Sequence, residues 1–280
     1  MHLIALELKK KFSLKWIADF RDPWTNIDFY DELKLTKWAD KKHRKMEREV
    51  LTTADVSISV GATLSEELKE LGAKNCITLT NGYDESDVVN REITLDDKVS
   101  IAHIGSFTKS RNPELLLRVL QELKIEVPDL SELLELKLVG KVDYTITELI
   151  SKYGVSDLVR KIEYLPHSEV LIEQRKSHAL LLVVNDTPNA KGILTGKVFE
   201  YIAAKRPILA LAPIDGDLAA LVNETDSGLV VNNSNISELK EFILDLINGN
   251  RHSYGFTNTE KYSRRNLTEK LSEIILNLSA

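Results

Sequence analysis

The sequence predicts an α/β fold built on a doubly wound parallel sheet. Three observations carry that expectation: short β-branched runs alternate with longer helical patterns along nearly the whole chain, six candidate strands fall between residues 99 and 231, and 280 residues is room for about two domains with real cores. Strict β then α alternation implies parallel strands joined by crossover helices and covered on both faces. The six strands are expected at 99–104, 134–139, 161–165, 179–184, 207–211 and 228–231. Between and after them, helices are expected at 113–126, 145–153, 168–176, 197–204, 218–223 and 236–248.

The first eighty residues repeat only part of the pattern, with strands near 14–19, 56–60 and 76–80 and helices near 36–53 and 63–71. Three strands make a thin sheet, whose edge or face is expected to stay uncovered unless something outside the sequence completes it. A short amphipathic helix opens the chain at 1–12, with Lys9-Lys10-Lys11 following its apolar residues, an order unlike that of a secretory signal. Turn residues cluster from Asn81-Gly82-Tyr83-Asp84 to Asp96-Asp97, which sets the boundary. The expected division is a partial first Rossmann-like domain at 1–82, a Rossmann-like domain at 83–257 and a last helix at 258–280.

Composition excludes several classes. The chain is 43% hydrophobic and 29% charged, with 37 Lys and Arg against 43 Asp and Glu, so a broad nucleic-acid footprint, which needs a basic excess, is not expected. Cys76 is the only cysteine, so the sequence holds neither an internal disulfide nor a cysteine zinc site, and a cytoplasmic setting is expected. The longest uninterrupted apolar run, 179–184, is far shorter than a membrane span. Histidines at 2, 43, 103, 167, 178 and 252 show no metal-ligand spacing, and no metal is expected.

Two segments are candidates for anion chemistry. Ile101-Ala102-His103-Ile104-Gly105-Ser106-Phe107-Thr108-Lys109-Ser110-Arg111-Asn112-Pro113 reads as a buried strand ending at Gly105, then a polar loop with two cations, then a proline suited to a helix's first turn. Ligands of open α/β sheets bind beyond the carboxyl ends of strands, which puts Gly105, Lys109 and Arg111 where a phosphate would be met; a solvated basic loop is the other reading. The second segment, Lys191 to Pro207, contains Gly192 and Gly196 but too few residues between them for a P-loop, and Val198 stands where a magnesium-binding Ser or Thr would be. What remains is a helix opened by Gly196, with amides facing the ligand edge. Glu200, one turn in, either accepts from the hydroxyls of a ribose or complements the helix dipole. A third segment, Trp16 to Thr25, is a strand running into Arg21-Asp22-Pro23, either a structural ion pair or a pair facing a cleft.

The order of a strand, a Gly loop with Arg111, a Gly196-Lys197-Val198-Phe199-Glu200-Tyr201 helix and Lys205-Arg206-Pro207 resembles the donor domain of GT-B glycosyltransferases of family 4. Thr80-Asn81-Gly82-Tyr83-Asp84 resembles that family's interdomain turn, 36–56 its late first-domain element, and Tyr262-Ser263-Arg264-Arg265-Asn266-Leu267 its C-terminal helix. The resemblance implies a bacterial-type retaining enzyme of polysaccharide biosynthesis. It would move a sugar from a nucleotide-diphosphate donor to a glycan or lipid-linked acceptor, with the nucleotide sugar as substrate and no separate cofactor. It further implies Arg111 at the diphosphate, Thr195, Gly196 and Lys197 at phosphate and sugar and Glu200 at the ribose, with Gly105 and Lys109 in the same donor site and Arg21 and Asp22 as catalytic residues at the cleft. The chain departs from the pattern at Gly192, where the family has a second glutamate, at Ser106, where a basic residue is common, and at Arg21-Asp22, where many members have His-Asp. The resemblance starts partway through the first domain, so the expectation is a chain lacking the start of its acceptor domain, poorly active alone, with membrane contact through the missing part. A non-catalytic nucleotide-sugar or phosphoglycan binding module and a GT-B-fold epimerase are the alternatives.

Overall fold

The structure is a computed structural model and describes residues 1–88, 92–250 and 254–279; His252 and the predicted terminus at 280 lie outside the described residues. The first unit runs α1 (His2–Phe12), β1 (Ile17–Phe20), α2 (Lys37–Thr53), β2 (Val56–Ser59), α3 (Ala62–Glu70) and β3 (Cys76–Thr78). Its strands form a parallel sheet in the order β1-β2-β3. The Thr36 hydroxyl accepts from Ala39 N and starts α2, as a threonine before a helix does. Leu6, Val50, Leu51, Leu64 and Leu68 of the three helices pack on Ala18 and Phe20.

The second unit contains β4 (Val99–Ile104), α4 (Glu114–Glu126), α5 (Leu130–Leu133), β5 (Leu134–Val139), α6 (Tyr144–Lys152), β6 (Val159–Ile162), α7 (His167–Lys176), β7 (Ala179–Val183), α8 (Lys197–Ala204), β8 (Ile208–Leu211), α9 (Asp217–Glu224), β9 (Gly228–Val231) and α10 (Ile236–Ile247). All its strands are parallel, in the order β6-β5-β4-β7-β8-β9. Numbered within the unit this is 3-2-1-4-5-6, with the direction of winding reversing between β4 and β7. Helices α4, α6 and α10 cover one face through Leu117, Leu120, Ile146 and Phe242, and α8 and α9 cover the other through Phe199, Ile202, Leu218 and Val222. Lys137, buried in β5, ion-pairs with Asp96 at 2.5 Å and with Glu173, tying α7 to the sheet. The doubly wound α/β class is therefore observed.

Two expected elements shift. The strand expected at 161–165 is β6 at Val159–Ile162: it is an edge strand whose only ladder ends with β5, where Gly140 N donates to Ile162 O, so the apolar Leu165 is left beyond it. The helix expected from 258 is a 3-10 turn at Thr259–Tyr262 followed by α11 (Arg264–Ser279). Ser263 breaks it because it is drawn out extended beside the turn at 81–84: Tyr83 N donates to Tyr262 O and Arg264 N to Tyr83 O. At Gly82 any side chain would run into Tyr262 O and Leu267, so this crossing needs a glycine. Beyond it α11 lays Leu267, Leu271, Ile274 and Leu278 on Val56, Ile58 and Leu79. The uncovered face expected for the three-stranded sheet is thus filled by the chain's own last helix.

The units also meet directly. Gly61 precedes α3 and has no side chain to cap it; instead Asp217, the first residue of α9, accepts from Thr63 N at 3.0 Å and from Thr63 Oγ1 at 2.8 Å. One unit caps a helix of the other. Asn185 Nδ2 donates to Asp28 and Asn189 Nδ2 to Asn26 O nearby. Asp217→Ala is expected to lower stability to urea by about 1 kcal/mol, the usual cost of losing such a cap, while Asp217→Asn retains part of it. An unchanged midpoint for Asp217→Ala would show that the interdomain cap contributes nothing.

Candidate functional site

Between the two units lie two adjoining cavities that share Arg21, Asn81 and Gly196. The larger, about 810 Å³, is lined by Tyr83, Asp87, His167 and Glu200 together with Arg264 and Leu271 of α11. The smaller, about 300 Å³, is lined by Asp22 and Asp28 from the first unit and by Asn185, Gly192 and Thr195 from the second. Both lie beyond carboxyl ends of parallel strands, where loops diverge and backbone groups are free of the ladder.

The start of helix α8, at Gly196, borders both. Gly196 starts it without a side-chain cap, and Thr195 Oγ1 just before it is buried with no hydrogen-bond partner. Glu200 Oε2 accepts from Gln174 Nε2 of α7 at 3.2 Å, which fixes the carboxylate toward the larger cavity. The Tyr201 hydroxyl is wholly buried and accepts from Ile104 N at 3.3 Å, locking α8 to the end of β4.

Lys197 points the other way, onto Gly105. Gly105 has φ +109°, and a Cβ there would lie 2.5 Å from Lys197 Nζ, so the loop after β4 needs glycine for both backbone and space. The ammonium nitrogen is buried without a hydrogen-bond partner. Burial pushes its pKa down to about 8, with the Arg111 guanidinium adding to the shift and Glu200 opposing it. Arg111 Nη1 donates to Ser106 O at 2.7 Å, which folds the guanidinium back over the same loop. Beneath, His103 stacks on Phe107 and is held neutral, its pKa pushed down to about 3 by burial and then by Lys197. Two cations thus converge in a partly desolvated place, an arrangement that costs stability and favours a multiply charged anion.

The residues expected at the site divide into groups. Arg21, Asp22, Thr195, Gly196 and Glu200 line the cavities; Gly105, Arg111 and Lys197 cluster at the first turn of α8 without lining either; Lys109 is exposed, and its charge acts on Asp143 of the next loop. The ion pair of Arg21 is with Asp19, at 3.0 Å, and its other end donates to Asn81 Oδ1, so the pairing with Asp22 open from sequence does not form. At Gly192 a Cβ would meet the Thr63 side chain at 3.3 Å, so the neighbouring unit closes against this position. Sequence reasoning missed His167, whose Nε2 lies 3.2 Å from Asp87 Oδ1, and Gln174 and Thr80. His167 opens α7 directly behind Pro166, beyond the carboxyl end of β6, on the sheet edge where ligands of this fold class bind.

The sequence matches the family model described as glycosyl transferases group 1 over residues 85–265. The chain belongs to that family. No curated protein matches it. Among solved structures it is similar to sucrose-phosphate synthase from Thermosynechococcus elongatus, with 15% identity and a TM-score of 0.70 over 99% of this chain and 71% of that one. It is also similar to Anabaena HepE in complex with UDP and glucose, with 11% identity and a TM-score of 0.69 over 99% and 75% of the two chains. A third is WaaG, a glycosyltransferase involved in lipopolysaccharide biosynthesis, at 13% identity and a TM-score of 0.61 over 94% and 80%. These likenesses establish the GT-B type of α/β fold for this group 1 glycosyl transferase.

The buried lysine gives the site a pH signature. Below pH 8 Lys197 is charged in both the native and the unfolded chain, and the native state bears the full desolvation cost; above it the native group loses its proton first, so that cost is relieved as pH rises toward the ordinary lysine range. An anion that needs the ammonium should therefore bind best below pH 8. Inorganic pyrophosphate affinity, followed by calorimetry, is expected to fall above that point by up to about tenfold per pH unit. A flat profile from pH 7 to pH 10 would mean that Lys197 does not meet the anion.

Proposed function

We propose that this group 1 glycosyl transferase moves a sugar from a nucleoside diphosphate donor to a glycan or lipid-linked acceptor, in the retaining manner of family 4. The observation that carries the reading is the convergence of the buried, partnerless Lys197 ammonium with Arg111 at the first turn of α8. A diphosphate leaving group develops charge as the glycosidic bond breaks, and cations already in place stabilise it without reorganising. The solved complex of HepE with UDP and glucose supports this donor class.

In this reading the large cavity takes the nucleoside. Glu200, oriented by Gln174, accepts from the ribose hydroxyls, and Thr195, Gly196 and Lys197 meet phosphate and sugar with Gly105 and Arg111 behind them. Lys109 adds charge at the loop rim. The smaller cavity takes the acceptor, with Arg21 and Asp22 orienting it; an arginine is protonated at neutral pH and serves there as donor rather than base. No separate cofactor enters the scheme, since the nucleotide sugar is itself the substrate. The corresponding division is acceptor-side residues 1–82, donor-side residues 83–257 and a last helix that returns to the acceptor side, acting in the cytoplasm at the inner face of a membrane.

Titration with UDP, GDP and ADP tests the assignment. At least one is expected to bind, and Arg111→Ala to weaken it by about 1 to 3 kcal/mol, as for loss of a charged hydrogen-bonding partner. Silence with all three at millimolar concentration would sink the donor site. For Glu200, a 2′,3′-dideoxy nucleotide should bind the native chain worse than the ribonucleotide but lose little more on Glu200→Gln. Additive losses in that cycle would mean that carboxylate and ribose never touch.

A further inference from the structure

Although the chain is acidic overall, residues 34–48 hold seven Lys or Arg against two acids. One acid neutralises Arg44 itself, which leaves six cations, and the other is turned inward. Asp40 accepts from Tyr30 and pairs with Arg44, and Glu47 is buried, accepting from Thr25 N and Oγ1. On a helix of 100° per residue, Lys37, Trp38, Lys41, Lys42, Lys45 and Arg48 fall on one arc of about 140°, opposite Glu47, Val50 and Leu51, which pack inward, and Lys34 lies just before the helix. All seven are exposed, and among the described residues none of the four lysines 34, 37, 41 and 42 has a carboxylate partner.

The face is not merely charged. Trp38 is 73% exposed with Lys42 Nζ 5.3 Å from its ring. A soluble helix gains nothing from a tryptophan in water, whereas at a bilayer the ring lies among the headgroups and the lysine stems reach anionic lipid. The unit that carries this face also supplies Arg21, Asp22 and Asp28 to the smaller cavity.

We propose that this face of α2 is a docking surface for an anionic lipid bilayer. It holds the smaller cavity at the membrane, where a lipid-linked acceptor would enter. The docking stands on α2; the purpose given to it rests on the function proposed above.

Sedimentation with vesicles tests it without any nucleotide. The chain is expected to sediment with phosphatidylcholine vesicles containing phosphatidylglycerol at low salt, to release at high salt, and to ignore pure phosphatidylcholine. Removing charge at Lys41 and Lys42 should weaken partitioning about fivefold per lysine, and Trp38→Ala should weaken it further. These residues are exposed and outside the cleft, so the variants should keep the native melting profile and UDP titration; a variant that loses either is replaced by Lys37→Gln with Lys45→Gln. Equal sedimentation with both vesicle types, none with either, or variants that sediment like the native chain would each overturn the proposal. So would capture of soluble polyphosphate, indifferent to Trp38→Ala, without vesicle binding. Loss of vesicle binding with UDP binding intact, or the reverse, separates failure of this surface from failure of the donor site.

Discussion

The reversal of winding between β4 and β7 is the constraint on which the rest depends. In a parallel sheet every strand ends on the same side, and where the order turns from leftward to rightward the two loops must part, one over each face. The loop after β4 carries Gly105 and Arg111, and the chain after β7 returns through Thr195 and Gly196 into α8. Tyr201 bonded to Ile104 holds those two ends in register. Lys197 is thereby turned inward onto the one α-carbon that leaves room for it, and Glu200 outward into the cleft. Opposite charges on one short helix serve opposite sides because of that geometry.

The second constraint is the single crossing between units. The turn at 81–84 meets the break at Ser263, Arg264 pairs with Asp84 at 3.3 Å, and α11 then covers the three-stranded sheet. The wall of the larger cavity is consequently made of both units and of the chain's end. Asp217 capping α3 closes the opposite side. A protein that binds a ligand between two units needs contacts of this kind, polar and few, so that they hold the walls without fusing them.

Much of this was legible in the sequence, because buried parallel strands are short apolar runs and their crossover helices are longer and periodic. The strands at 99–104, 134–139 and 228–231 stand where the pattern puts them. Glu200 and Arg21 were legible as cleft-lining positions because strand ends and helix starts open on the ligand edge of this fold. What escaped was set by partners distant in sequence. The break at Ser263 depends on Tyr83, the end of β6 on Gly140, and the engagement of Arg21 on Asp19 and Asn81 rather than on its neighbour Asp22. Gln174 beneath Glu200 carries no local signal at all; partners distant in sequence hold α7 there, Lys137 through Glu173 and Arg206 through Arg175 O.

In the proposed function, the crevice gives up stability to hold cations ready for a diphosphate. Replacing Lys197 with methionine keeps the volume and removes the charge, so urea denaturation of Lys197→Met beside the native chain at neutral pH, with and without UDP, is the most direct measurement. The variant is expected to be more stable than the native chain without nucleotide, on the order of 1 kcal/mol, and to gain nothing from UDP that stabilises the native protein. A variant less stable than the native chain, yet still stabilised by UDP to the same degree, would contradict it.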